Sequence, residues 1–303
     1  MIASQHQDAK QGSQLRKIVR ECLPPPSRYT KPAFAMPAGA CDSHSHVTPT
    51  TTWNLATDAS YEPCPTPPRE SRRMRSALGF DRGIVVQASA FGQDNSGVTE
   101  ALRDDPVSLR GVIVSDESIS DVEIERLHAL GVRGMRFITS GLGGTVGTKA
   151  MVALGPRMAH FGWHAEVLPA AVQWPDLLPV LRKMPCKVVV DHLGYLPAGL
   201  ADDDPSVLAL YELVADHGAF VKLIGYRLSE TRGGSALARR AQKLFCLAPD
   251  RMVWGTDWPH VGLSASVDAG VLLNDFAGWF DNDKDVLDRV LAANPAKLYQ
   301  FQG

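Results

Sequence analysis

The chain has 303 residues, 45% hydrophobic and 21% charged, enough to bury one large single core. Its 31 Lys plus Arg against 33 Asp plus Glu leave a formal charge of -2, which argues against a general polyanion or nucleic-acid binder. No apolar run approaches the roughly 18–20 residues of a membrane span, and the polar stretch Met1–Arg20 lacks a signal-peptide core, so a cytoplasmic protein without membrane contact is expected.

In chain order, residues 1–39 read as an extended N-terminal arm. The polar segment Gln5–Arg20 runs into Pro24-Pro25-Pro26, with Pro32 and Pro37 beyond, and proline fixes φ and removes backbone donors. Nothing in the arm's composition decides whether it packs on its own chain or in a homo-oligomer. From Ala40 to the end, 40–303 reads as one domain without internal repeats or long linkers. Strands are expected at Ala40–Val47, Gly83–Ser89, Leu109–Ser115, Val132–Thr139, Trp163–Pro169, Lys187–Gly194, Ala219–Gly225 and Met252–Pro259. Helical patterns fall between them, at Glu70–Leu78, Val98–Arg103, Asp121–Leu130, Lys149–Phe161, Pro175–Met184, Pro205–Asp216 and Ala236–Leu247. A last helical stretch, Asp283–Gln300, is interrupted at Asn294-Pro295. Strand and helix alternating eight times predict an α/β protein of the (β/α)8 TIM-barrel class. An open doubly wound sheet fits less well, because no GxGxxG follows a strand.

In such a barrel the chemistry sits at the C-terminal strand ends. The first strand offers His44 and His46, two residues apart and so on one face, a pair suited to holding a metal or polarising one oxygen. The sixth ends Asp191-His192, and the eighth carries Asp257, a carboxylate placed to act as general base or metal ligand. On the fourth, Arg133 and Arg136 face opposite sides; Arg136 is the better clamp for a carboxylate, and Arg133 suits a surface salt bridge. Arg227, past the seventh strand, is a second candidate anion contact, and Ser89 a candidate hydrogen-bond donor. Glu166 could complete a metal site, whereas His164 and Lys222 read as structural, Lys222 within an ion pair. Cys22, Cys41, Cys64, Cys186 and Cys246 include no CxxC and signal neither a disulfide framework nor a zinc ribbon.

Taken together, His44-Ser45-His46, Gly134-Met135-Arg136, Asp191-His192-Leu193-Gly194, Gly255-Thr256-Asp257-Trp258-Pro259 and Asn294-Pro295 resemble the amidohydrolase superfamily. Within it the chain looks most like the amidohydrolase-2 lactonases of the 2-pyrone-4,6-dicarboxylate type, from about Ala40 to Tyr299, with Tyr61-Glu62-Pro63-Cys64 and Val85-Val86-Gln87-Ala88-Ser89 as further matching text. The resemblance implies a small-molecule lactone as substrate. Asp257 would activate water, and His44, His46 and His192 would polarise the carbonyl, directly or through a metal. Arg136, Tyr61 and Ser89 would hold a substrate carboxylate, with Tyr195 and Arg227 nearby. No cofactor is implied as obligatory; the alternative is one divalent ion, zinc, on His44, His46 and Asp257, with Glu166 or His192. The Arg136 cation opposes a two-metal centre. Three departures bear on substrate: Phe91, Leu168 and Tyr195 stand where the pyrone enzymes carry His, Tyr and Arg. A pocket with fewer polar partners is expected to take a less anionic, muconolactone-like ester. A metal-dependent decarboxylase or hydratase on the same scaffold is the alternative activity, and a non-catalytic binding protein is a third reading.

Overall fold

The computed structural model describes residues 20–141, 146–229, 234–263 and 265–301. Eight parallel strands form one sheet: β1 (Cys41–Ser45), β2 (Arg82–Val86), β3 (Leu109–Ile113), β4 (Val132–Ile138), β5 (His164–Leu168), β6 (Lys187–Val190), β7 (Phe220–Lys222) and β8 (Met252–Val253). Neighbours in sequence are neighbours in the sheet. The seam between β1 and the segment after β8 is closed by Ser43 N donating to Trp254 O (3.0 Å), Asp257 N to His44 O (2.8 Å) and His46 N to Trp258 O (2.7 Å). The eight expected strands are all present, and the fold is the TIM barrel.

Around the sheet stand α1 (Pro68–Leu78), α2 (Ser96–Asp104), α3 (Asp121–Leu130), α4 (Thr148–His160), α5 (Trp174–Leu181), α6 (Pro205–His217) and α7 (Ser235–Leu247), close to the expected ranges. Local chemistry sets their ends. Ser120 Oγ accepts from Glu123 N at the start of α3, and left-handed Gly131 stops it. Asp204 caps α6 ahead of Pro205, and left-handed Gly218 ends it. One helix was not expected, α8 (Ala269–Gly278), which Asp268 caps and which buries Leu273 and Phe276. The last helical stretch is not one helix. Lys284–Asp288 passes through a π turn, Arg289–Ala293, into Asn294–Leu298, whose first turn carries Pro295. Proline cannot donate the helical N–H, and the wider turn before it accommodates that loss.

Of the expected arm, residues 1–19 lie outside the described residues. The rest lies on its own barrel. Arg20–Glu21 pairs in parallel with Tyr61–Glu62, and Thr30 N and Oγ1 both donate to Asp268. Asn274 accepts from Ala33 N and donates to Lys31 O. No described helix is long and apolar enough to cross a membrane.

The barrel interior has two levels. An apolar floor is built by Cys41, Ile84, Val86, Val189, Phe220 and Val253, plugged from below by Tyr299 and Phe301. Charged and polar side chains lie above it. Strict alternation would put Cys41 and His44 on opposite faces, but the β1–β2 register shifts between Asp42 and Ser45. The irregularity turns His44 inward.

Gly255 makes the seam sterically feasible, since a Cβ there would lie 2.4 Å from His44 N and 2.8 Å from His44 Cβ. Gly255→Ala is therefore expected to cost about 1–3 kcal/mol of stability, the usual range for overpacking, read as a lowered urea midpoint.

Candidate active site

At the C-terminal end of the barrel His44, His46, His192 and Asp257 converge, each no more than 4% exposed. The His44 and His46 rings meet edge to face with their Nε2 atoms 3.3 Å apart. Asp257 Oδ1 lies 3.6 Å from His44 Nε2 and 3.4 Å from His46 Nε2, and the His192 ring centroid is 4.9 Å from that of His44. The four residues that the sequence pointed to thus share one small volume. Both His192 and Asp257 hold left-handed backbone, at φ 47° and φ 56°. Non-glycine residues occupy that region at a cost, and such positions cluster at functional sites.

Asp257 is tightly held. Its Oδ2 accepts from Tyr226 OH (2.7 Å) and Arg227 Nε (2.8 Å). Burial alone would raise its pKa, but the Arg227 guanidinium above all holds it well below the usual carboxylate range. Burial lowers His192 to about 4 despite the pull of Asp257. Burial, and then the Lys222 charge, put His44 well below the ordinary imidazole value. At neutral pH the site therefore holds a carboxylate and, at His44 and His192, neutral imidazoles. His46 Nδ1 lies 2.7 Å from Val86 O, and a carbonyl only accepts, so the Nδ1 proton is fixed there, and in the neutral ring the lone pair is on Nε2.

Directly beneath lies a buried charge cluster contributed by four adjacent strands: Arg136 (β4), Glu166 (β5), Asp191 (after β6) and Lys222 (β7). Lys222 Nζ is 2.5 Å from Glu166 Oε2, 2.8 Å from His44 Nδ1 and 3.3 Å from Asp191 Oδ1. Arg136 places Nε and Nη2 on Asp191 Oδ2 at 3.0 and 2.8 Å, and Nη1 on Gln87 O at 3.3 Å. Burial opposes ionisation of Asp191, yet Lys222 and Arg136 hold its pKa well below normal. The expected ion pair of Lys222 is there, but as part of a larger group that reaches His44. Arg133 makes a different contact from the expected salt bridge, donating to the carbonyls of His128 and Val132. Sequence reasoning gave Tyr226 and Asp191 no role. The one available signal was Asp191 beside His192, directly after the three valines Val188–Val190.

A cavity of about 520 Å³ opens above the histidines. Among its lining residues are Tyr61, Ser89, Arg136, Tyr195 and Arg227, the expected polar contacts, together with apolar Ile138, Leu168, Val261 and Leu263. Ser89 Oγ donates to Tyr61 OH at 3.3 Å. The Arg136 fork is already engaged by Asp191, so only its remaining N–H groups are available to a ligand. Arg227 is not a solvated loop arginine but the partner of Asp257. Of the three departures from the pyrone pattern, Leu168 and Tyr195 line the cavity, whereas Phe91 does not and packs T-shaped on Trp53 at 6.0 Å.

The donor set has the spacing of a divalent-ion site. Separations of 3.3, 3.4 and 3.6 Å among His44 Nε2, His46 Nε2 and Asp257 Oδ1 match neighbouring ligands on a tetrahedral zinc with bonds of about 2.0–2.1 Å. His44, His192 and Asp257 also offer ligand atoms all within 4.8 Å of one another. By spacing, the group is able to hold a metal. A second such set, His44, Glu166 and Asp191, already surrounds the Lys222 ammonium.

The chain is similar over most of its length to enzymes named for lactones. A 2-pyrone-4,6-dicarboxylate hydrolase of Comamonas testosteroni is 33% identical over 89% of this chain and 93% of its own length. A 4-sulfomuconolactone hydrolase of Rhizobium radiobacter is 28% identical over 92% and 95%. A D-galactarolactone isomerase of Agrobacterium fabrum is 28% identical over 90% and 94%. The amidohydrolase family profile matches residues 41–301, so the chain, from the first barrel strand to the end of the last helix, belongs to the amidohydrolase family.

Proposed function

We propose that the protein is a lactone hydrolase that opens an anionic cyclic ester by attack of water. The observation that carries this reading is the convergence of one ionised carboxylate, Asp257, with three imidazoles at the floor of a cavity that two arginines line. Hydrolases and an isomerase of lactones among the relatives support it.

Water seated between Asp257 Oδ1 and His46 Nε2, two acceptors 3.4 Å apart, would give one hydrogen bond to each and lose its proton to Asp257 as it attacks. His46 is in this reading an acceptor rather than a polarising donor, because its proton is committed to Val86 O. His44 and His192, neutral and buried, face the developing oxyanion, where fixed donors in a dry site act strongly. Tyr226 and Arg227 hold Asp257 in place through its other oxygen. Tyr61, Ser89 and the free N–H groups of Arg136 receive the substrate carboxylate, with Tyr195 and Arg227 beside them. The apolar wall of Ile138, Leu168 and Leu263 leaves no partner for a second buried anion, which favours a monoanionic, muconolactone-like ester over a dicarboxylate.

A divalent ion on His44, His46 and Asp257, with His192, would polarise the carbonyl and lower the pKa of a bound water. A metal-independent reaction fits the electrostatics better. Asp257 already has its cation in Arg227, and Glu166 and Asp191 have theirs in Lys222 and Arg136. The isomerase relative supports a second reading, in which a hydroxyl of the substrate replaces water as nucleophile. Hydrolysis in 18O-water places one labelled oxygen in the product acid; isomerisation places none.

Asp257→Asn is expected to lower kcat by roughly 10²–10⁴, the usual contribution of a general base, with the far-UV spectrum unchanged. A wild-type rate in a panel of monoanionic lactones would sink the assignment. Because the His44 and His192 pKa values are lowered, His192 to about 4, and Asp257 is ionised well below its ordinary value, the active forms persist on the alkaline side of all three. Protonation of these three groups is therefore expected to lower kcat/KM only on the acid side, with the His192 limb near pH 4. A His192 imidazole found by histidine 15N NMR to titrate near 6.5 would contradict this. Elemental analysis and chelator treatment should leave activity intact, whereas loss on chelation with recovery on added zinc would establish the metal reading.

A further inference from the structure

We propose that Lys222 is a positioning residue for catalysis: its ammonium fixes the tautomer of His44 so that the Nε2 proton points at the reacting oxygen, taking the place that a cation would occupy among His44, Glu166 and Asp191. The catalytic half of this inference rests on the lactone reading above; the structural half does not.

The argument begins with donors and acceptors. A lysine ammonium has three protons and no lone pair, so every polar atom it approaches must accept. Lys222 is fully buried, with Glu166 Oε2 at 2.5 Å and His44 Nδ1 at 2.8 Å. Nδ1 therefore presents its lone pair to Lys222, and a neutral imidazole with a bare Nδ1 carries its proton on Nε2. Asp191 Oδ1 is the competing partner at 3.3 Å from Nδ1, farther than the ammonium at 2.8 Å, and it lies 3.3 Å from Lys222 Nζ as well. His46 fixes the opposite arrangement, proton on Nδ1 and lone pair on Nε2, through Val86 O. The two histidines of one strand are thus made unlike by what lies behind them. His44 becomes a donor and His46 an acceptor, 3.3 Å apart at the floor of the cavity. A His44 held this way offers no Nε2 lone pair to a metal. It would become a ligand only by turning an Nδ1 proton toward the ammonium.

Histidine-selective 15N NMR on the full chain, with the His44 signal assigned by its loss in His44→Gln, reads the tautomer directly. The expected result is an Nε2-protonated His44 in the wild type at neutral pH. An Nδ1-protonated His44 would overturn the proposal whatever the enzyme turns out to hydrolyse. In Lys222→Met the tautomer is expected to move toward Nδ1–H, facing Asp191. With it, kcat should fall about 100-fold or more, as when an oxyanion donor is lost, while KM stays within about threefold. Removing a buried cation can unfold the chain, so Lys222→Met/Glu166→Gln, which keeps the cluster's charge balanced, is measured beside it. Persistence of the kcat loss and the altered tautomer in the double variant supports the proposal. Recovery of wild-type kcat there would show that charge balance alone matters, and would overturn it.

Discussion

Two carboxylates inside an apolar barrel are the constraint on which the rest of the molecule turns. Glu166 and Asp191 are fully buried above a floor of Ile, Val and Phe, where an unpaired ion costs several kcal/mol. Lys222 and Arg136 offset them, and each contact in the group is a charge-assisted hydrogen bond or close to one. The four residues come from four consecutive strand positions around the barrel, β4 to β7. Their pairing therefore locks the register of half the sheet. A slip of one residue in any of these strands would turn its ion outward and leave its partner bare.

The layer above inherits its geometry from that cluster and from the seam. His44 touches Lys222 through Nδ1 and Asp257 through Nε2, so it links the charged layer to the floor of the cavity. Asp257 arrives from the other side. Its backbone N donates to His44 O, so the carboxylate and the imidazole opposite are joined by a hydrogen bond of the barrel itself. Thr256 fastens the same corner, donating through N and Oγ1 to the buried Asp42 carboxylate. The left-handed backbone of Asp257 is tolerated because these neighbours fix its corner. The arm contributes at the rim. Its Arg20–Glu21 ladder borders Tyr61, and Tyr29 OH accepts from the indole N–H of Trp258, next to Asp257.

What could be read in the sequence was what period and position determine. Alternating strand and helix patterns gave the barrel, and polar residues at the ends of apolar strands gave His44, His46, His192 and Asp257. What could not be read depends on three-dimensional proximity or on irregular backbone. The β1 register shift, which brings His44 to the same side as Cys41, has no signature in residue types. Phe91 is expected in the pocket only through the resemblance, where the pyrone enzymes carry His, but the short turn Ser89–Phe91 swings its ring onto Trp53. Lys222 was visible as a lone charge in an apolar strand. That it serves a histidine 178 positions earlier is knowledge that only the closed barrel holds. Helix α8 escaped because its apolar positions follow a glycine- and serine-rich stretch that reads as loop.

Charge accounting links the site to its ligand. Glu166 and Asp191 balance Lys222 and Arg136, and Asp257 balances Arg227, so the described core of the site is neutral before anything binds. A divalent ion would enter as uncompensated charge unless protons or the arginine moved. A monoanion brings one charge to a rim where two guanidiniums, already hydrogen-bonded, still present N–H groups to the cavity. Such guanidiniums recognise an anion through directed hydrogen bonds more than through net field, because their charge is shared with carboxylates behind them. A second carboxylate would have to lie against Leu168 and Ile138, where nothing repays its lost hydration. In the proposed function the walls of the cavity would set how many charges the substrate carries, and the layer beneath which of its atoms is attacked.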